Sequence, residues 1–381
     1  MNRDNRKKVL VVDDSAFMRK LISDFLSGHP EIEVIGTARN GKDAVEKVLS
    51  LKPDVVTLDI EMPIMNGLEA LKKMMTDHPV PVVMLSSTTK IGAENTMLAM
   101  EYGAIDFIAK PGGAISLNLH EVKEEIIEKV IAAAEVDISK VTKKFTNLRL
   151  IESAPSKLTN QSIRTTSEIA LTSNDEKESI NVSRINSRIT KTFVIIGTST
   201  GGPRALQEVL TGLPASISAP ILIVQHMPPG FTKSLADRLD GLCDIHVKEA
   251  EDAELLENGT AYIAPGGKHL KIKKIGMNYY AHLDAVELPR MGHRPSVDVL
   301  LESAAKSNQL NYLTVIMTGM GFDGRNGMVL LRESCRTITI VESAKSSVVY
   351  GMPKAIKEAG LADQVADLEN IAGLIVQNLK Y

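Results

Sequence analysis

The chain has 381 residues, with 44 Lys and Arg against 47 Asp and Glu, a net charge of -3 and 44% hydrophobic residues. That length implies two or three domains, and the near-even charge balance gives no reason to expect nucleic acid as a partner. No apolar run approaches the roughly 18 residues of a membrane span. The polar start MNRDNRKKVL reads as a lead into a strand and not as a secretory signal, and Cys243 and Cys335 make neither a disulfide framework nor a metal pattern. The expected setting is the reducing cytoplasm.

In chain order, short apolar runs alternate with amphipathic segments from Lys7 to about Asp137. Val9–Val12, Ile32–Gly36, Val55–Leu58, Val82–Leu85 and Asp106–Ala109 read as strands, and Ser15–Leu26 and Asn66–Met75 as helices among those between them. Alternating β and α units imply a parallel sheet covered on both faces. Charge gathers at one edge of that sheet: Asp13 and Asp14 follow the first strand, Asp59 ends the third, and Lys110 follows the fifth. Each Asp taken alone is equally a helix cap or a turn residue. Together the carboxylates repel unless a cation sits among them, and hard oxygen ligands suit Mg²⁺. Metal and Lys110 would then cancel oxyanion charge while Asp59 accepts a phosphoryl group, with Ser86 at the end of the fourth strand as a hydroxyl donor to it.

The stretches VLVVDDSAFMR, VVTLDIEMPIMNGLEAL, VVMLSS and DFIAKP resemble the receiver domain of two-component response regulators, a flavodoxin-like fold with a five-stranded parallel sheet. The resemblance implies Asp59 as phosphoacceptor, Asp13, Asp14 and Asp59 as the Mg²⁺ site, Ser86 and Lys110 as switch residues, and a histidine kinase as phosphodonor. It also implies Phe107 as the switch aromatic, a position equally readable as a core ring.

Val141 to Thr190 changes character: 20 of those 50 residues are Ser, Thr or Asn. Such a stretch buries too little apolar surface to offset its ordering entropy, so it reads as a flexible linker. The sequons at Asn160 and Asn181 carry no weight in a cytoplasmic chain.

Alternation resumes at Thr192. Phe193–Ile196 reads as a buried strand running into Gly197-Thr198-Ser199-Thr200-Gly201-Gly202, with Pro203 opening a helix. The turn admits three readings: a nucleophilic Ser199 in G-x-S-x-G, a phosphate-cradling loop, or a plain tight turn. Strands are expected at Ile221–Gln225, Leu313–Met317 and Thr337–Val341, a strand pair at Gly259–Pro265 and Leu270–Ile275, and a helix at Met352–Gly360. Ser199, His226 and Asp323 then each lie just past the carboxyl end of a different strand, where open α/β sheets bind ligands. A serine hydroxyl needs an adjacent base, and the base needs a carboxylate to hold its tautomer. His246, His269, His282 and His293 compete with His226, and His269 and His293 are the two placed to line the same cleft. No His follows Asp323, so the Ser, Asp, His order of α/β-hydrolases is excluded.

IIGTSTGGPRAL, QHMPPGFTKSLADRL, YIAPGGKHL, HRPSVDVLLESAA and TGMGFDG make this half similar to the catalytic domain of the chemotaxis protein-glutamate methylesterases, the CheB family. The resemblance implies Ser199 as nucleophile, His226 as base, Asp323 as its carboxylate, and Thr200 and Met320 as residues that help the oxyanion site or shape the active site. Phe322 stands where that family commonly has Asn. The implied organisation is a receiver at 7–124, a flexible polar linker at 138–190 and a doubly wound, mostly parallel α/β methylesterase domain at 191–377. The implied activity is methanol release from glutamate γ-methyl esters of chemoreceptors, with glutamine deamidation and no cofactor at the hydrolase site. A complete acceptor site tethered to a complete hydrolase site predicts a receiver that covers the cleft until Asp59 is phosphorylated. A receiver-controlled binding module without hydrolase chemistry is the alternative from another class.

Overall fold

The computed structural model describes residues 6–110, 119–141 and 191–380. The linker reading and the sequons at Asn160 and Asn181 lie almost wholly outside them.

The first half runs β1 (Lys7–Val12), α1 (Ala16–Ser27), β2 (Ile32–Ala38), α2 (Gly41–Leu51), β3 (Val55–Asp59), α3 (Gly67–Asp77), β4 (Val82–Ser86), α4 (Lys90–Glu101), β5 (Asp106–Ala109) and α5 (Leu119–Ala134). Its five strands are parallel in the order β2-β1-β3-β4-β5. The central strands β3 and β4 are buried at every residue, so they read as unbroken apolar runs and not as alternation. Local chemistry sets the helix starts. Ser15 caps α1 through Met18 N, and Asn66 with Glu69 closes a capping box on α3.

The second half runs β6 (Thr192–Thr198), α6 (Gly202–Thr211), β7 (Ile221–Gln225), α7 (Phe231–Asp240), β8 (His246–Glu249), β9 (Thr260–Ile263), β10 (His269–Ile275), β11 (Asn278–Asp284), α8 (Val297–Ala305), β12 (Asn311–Ile316), α9 (Arg325–Ser334), β13 (Thr337–Glu342), α10 (Met352–Glu358), β14 (Gln364–Ala366) and α11 (Leu368–Leu379). Seven strands form one parallel sheet in the order β14-β13-β12-β6-β7-β9-β8. β6 is the first strand in sequence and lies in the middle, with β7 on one side and β12 on the other. The chain winds outward from it in both directions, which opens a crevice at the carboxyl ends of those three strands.

One expected pairing is wrong. β9 and β10 do not pair with each other. β9 lies between β7 and β8 in the main sheet, whereas β10 pairs antiparallel with β11 in a separate two-stranded sheet. The Pro265-Gly266-Gly267 turn suggested a strand pair, but β9 ends at Ile263, Gly266 lies close against Pro228 and Pro229 of the loop after β7, and the strand that follows pairs with β11 instead. β8, β11 and β14 were not foreseen. β8 and β14 have only four and three residues, too few for a periodicity to register, and β11 mixes polar with aromatic side chains.

The two halves are in contact. Phe107 of β5 stacks on Phe231 of α7 with ring centroids 4.6 Å apart, and Met97, Met100 and Phe107 belong to one buried cluster with Phe231 and Leu235. Arg238 pairs with Glu101 at 2.5 Å across the same seam. On the far side Lys140 Nζ donates to Ala344 O at 2.9 Å and Ser347 O at 3.0 Å.

Candidate active site

Ser199 follows β6 directly, and the turn after it depends on two glycines. Gly201 caps α6 at φ 78, in the left-handed region that side chains disfavour. Gly319 approaches so closely that a Cβ there would lie 2.8 Å from Ser199 Cβ and 2.5 Å from Met352 Sδ. That approach brings the loop after β12 against Ser199, and the Ser199 N–H donates to Thr318 O at 3.0 Å. Among the described residues, no acceptor is paired with the N–H of Thr200 or of Met320.

His226 follows β7, the strand beside β6. Its Nδ1 lies 3.2 Å from Ser199 Oγ and its Nε2 lies 2.8 Å from Asp323 Oδ2. The imidazole therefore spans the other two side chains, each nitrogen facing one. Its side chain is 5% exposed. Gln225, buried at the end of β7, ties the two loops together: its Nε2 donates to Ser199 O at 3.0 Å, and its Oε1 accepts from Thr198 Oγ1 at 2.7 Å.

Asp323 lies in the loop between β12 and α9, held at the amino end of α8. Ser296 Oγ and Asp298 N donate to its Oδ1 at 2.9 Å each, and Val297 N donates to Oδ2 at 2.7 Å. Burial alone would raise its pKa. The His226 hydrogen bond and charge, with the Asp298 and Val297 N–H groups, outweigh that and hold the carboxyl down at about 2. An anionic, fully bonded carboxylate keeps a proton on Nε2 and leaves Nδ1 to accept from the serine hydroxyl.

Asp298 anchors this loop from behind, its Oδ1 accepting from Gly324 N at 3.0 Å and Gly327 N at 2.7 Å. Its Oδ2 has no partner, and burial pushes its pKa up to about 6 against those two N–H groups. A carboxyl that binds its proton more tightly folded than unfolded stabilises below its unfolded pKa, and that contribution is lost as pH rises through the folded value. Asp298→Asn is therefore expected to gain up to about 3 kcal/mol relative to the parent between pH 4 and pH 8 in urea denaturation. A difference that stays flat with pH would contradict this.

Of the competing histidines, His293 reaches the site, stacked on His226 with ring centroids 3.8 Å apart and planes 9° apart. His269 is buried with Nε2 3.2 Å from Leu288 O, while His246 and His282 pair with Asp240 and Asp252 at exposed positions. Gln225, Ser296 and Asp298 escaped the sequence reading, because a buried amide, a cap serine and a helical Asp have no motif of their own. Phe322 is 41% exposed under the Arg325 guanidinium, clear of Asp323's hydrogen bonds.

A protein-glutamate methylesterase/protein-glutamine glutaminase from Geobacillus kaustophilus is 54% identical over 97% of this chain and 98% of its own length. The chain belongs to the CheB methylesterase family. The model of that family matches residues 194–375, and the response regulator receiver domain model matches residues 9–120. A relative of the same name from Halalkalibacterium halodurans is 50% identical over 99% of both chains. The crystal structure of the Thermotoga maritima CheB methylesterase catalytic domain is 41% identical, covers 50% of this chain and 100% of its own, and has a TM-score of 0.48.

In the receiver of this CheB-family chain, carboxylate oxygens of Asp13, Asp14 and Asp59 lie within 4.8 Å of one another. Asp13 and Asp59 are buried and Asp14 is exposed. Lys110 Nζ lies 2.9 Å from Asp13 Oδ2 and 2.8 Å from Asp59 Oδ2. Even so, burial pushes Asp59 up to about 6 against the pull of Lys110. Three carboxylates there face the single ammonium of Lys110, and three hard oxygens gathered that closely fit a small divalent cation. Ser86 Oγ points elsewhere, donating to Gly92 O at 3.0 Å and accepting from Thr96 Oγ1 at 2.8 Å. Phe107 is packed inward on Phe231.

The receiver also reaches the hydrolase centre. Asp106 Oδ2 accepts from Thr200 Oγ1 at 2.5 Å, the residue next to Ser199, and Lys129 Nζ sits 3.5 Å from the same Asp106 and donates to Phe107 O at 2.6 Å.

Proposed function

We propose that the chain is a phosphorylation-regulated serine hydrolase that removes the methyl group from glutamate γ-methyl esters of chemoreceptors and deamidates glutamines there, in adaptation of bacterial-type chemotaxis. The observation that carries the reading is His226, bonded to Ser199 on one nitrogen and to Asp323 on the other. Ser199 Oγ attacks the ester carbonyl as His226 Nδ1 takes its proton. The N–H groups of Thr200 and Met320 receive the oxyanion. The C–O bond breaks, His226 returns the proton, and methanol leaves. Water, deprotonated by His226, then opens the acyl-enzyme, giving a glutamate carboxylate and free Ser199. With a glutamine substrate the same steps release ammonia.

Asp59 is the phosphoacceptor, charged by a histidine kinase. Asp13, Asp14 and Asp59 would hold Mg²⁺, which when bound would neutralise phosphoryl oxygen charge. Lys110 faces the acyl phosphate, and Ser86 must leave Gly92 and Thr96 to donate to it. Phe107 packs on Phe231 and Asp106 bonds Thr200, so a rearrangement around β4 and β5 bears directly on the seam. The chain acts in the cytoplasm. No helix among the described residues is long and apolar enough to cross a membrane.

Methanol release from methylated receptor, with and without a small phosphodonor, tests the whole reading, and a fluorophosphonate probe tests Ser199. Absence of both turnover and labelling would leave a binding module. Arg238→Glu, which sets like charges against Glu101, is expected to raise the rate without phosphodonor about threefold, because an exposed pair is worth less than about 1 kcal/mol. An unchanged rate would argue against the seam as the brake.

A further inference from the structure

The stack on His226 stands apart from the relay. We propose that His293 is a positioning residue: its ring is the platform on which His226 lies, fixing the plane of the base and stabilising the charge it gains in the transition state. This rests on the reading of His226 as the base.

Asp323 holds His226 by one edge, through a single hydrogen bond at Nε2. At the other edge the ring has only the 3.2 Å contact with the reacting Ser199 Oγ, and a twist carries Nδ1 away from it. A parallel ring 3.8 Å away and 9° from coplanar blocks the twist by contact across the face. The two restraints come from one short segment. His293 and Arg290 exchange backbone hydrogen bonds at 2.9 Å in both directions, and Gly267 N donates to Arg294 O at 2.9 Å, which fixes the backbone on either side of the ring. Arg294 Nη1 donates to Ala285 O at 2.9 Å and Glu287 O at 3.1 Å. Three residues on, Ser296, Val297 and Asp298 bind Asp323. Residues 290–298 therefore set the face and the edge of the base together.

A platform under an imidazolium must itself be uncharged. Burial first, and then the charge of His226, push the His293 pKa down to about 3, so its ring is neutral at physiological pH. The charged groups bearing on it are Asp323, which favours positive charge, and Lys129 of the receiver, which opposes it. A neutral aromatic face beside a desolvated cation is attractive.

The test uses the full chain with a small phosphodonor present, methanol release from methylated receptor, and three variants: His293→Gln, His293→Phe and His226→Ala. Glutamine keeps polar volume without a ring, and phenylalanine keeps a flat ring that neither titrates nor hydrogen-bonds. His293→Gln is expected to lower kcat about tenfold with KM within about twofold, and His293→Phe to restore kcat to within about threefold of the parent. Phenylalanine no better than glutamine, an unimpaired glutamine variant, or a loss confined to KM overturns the platform. Turnover surviving in His226→Ala overturns the relay itself. An inactive His226→Ala alongside an unimpaired His293→Gln overturns the platform alone.

Discussion

Ser199→Ala is expected to lower kcat for methanol release by about 10⁴- to 10⁶-fold with KM little changed. The size follows from what alanine removes. Without Oγ no acyl-enzyme forms, and the 3.2 Å contact that holds His226 Nδ1 ready is lost. The N–H groups of Thr200 and Met320 and the Asp323–His226 pair would remain, so a residual water reaction helped by oxyanion binding sets the floor. Ser199 is a small, half-buried side chain on a turn shaped by Gly201 and Gly319, so folding should survive. Unchanged phosphorylation of Asp59 is the control. A variant within a hundredfold of the parent, or one still labelled by a fluorophosphonate probe, would remove Ser199 from the chemistry.

Asp323→Asn should be nearly as severe, lowering kcat by about 10⁴-fold near neutral pH. Asp323 accepts four hydrogen bonds, from His226, Ser296, Val297 and Asp298. An asparagine has one oxygen for those four donors, so its NH₂ takes the place either of Oδ1, against Ser296 Oγ and Asp298 N, or of Oδ2, against Val297 N and the imidazole. In place of Oδ2, it donates to Nε2 and drives the ring proton to Nδ1, where it blocks acceptance from Ser199. In place of Oδ1, it meets a donor and leaves buried N–H groups unpaired, a penalty of about 1–3 kcal/mol each. Tautomer reversal predicts a loss in kcat at unchanged KM, whereas a collapsed loop would also lower the melting temperature. A loss below tenfold would show that the carboxylate does not set the tautomer.

The receiver was legible nearly to the residue. β1, β3 and β4 are buried on both faces over most of their length, so each appears as a nearly bare apolar run, and Asp13, Asp59 and Lys110 sit at strand ends where a parallel sheet gathers them. In the second half, Ser199 and His226 were legible for the same reason: each follows directly on a buried strand. The pairing of Gly259–Pro265 with Leu270–Ile275 was misread because turn chemistry is local, and nothing local says which sheet a strand joins.

The order of residues by itself determined that the acidic cluster of the receiver stands at strand ends, that the hydroxyl of Ser199 and the imidazole of His226 follow strands directly, and that the carboxylate of Asp323 lies in the loop after β12. Only the tertiary structure decided that β6 lies between β7 and β12, so that these three groups meet within hydrogen-bonding distance. It alone placed His293 on His226, Asp106 on Thr200 and Phe107 on Phe231. Strand ends are written in short-range patterns of burial and turn formation. Contacts between residues 27, 67, 94 or 124 positions apart depend on which sheets and helices find room against each other, and no local pattern encodes that.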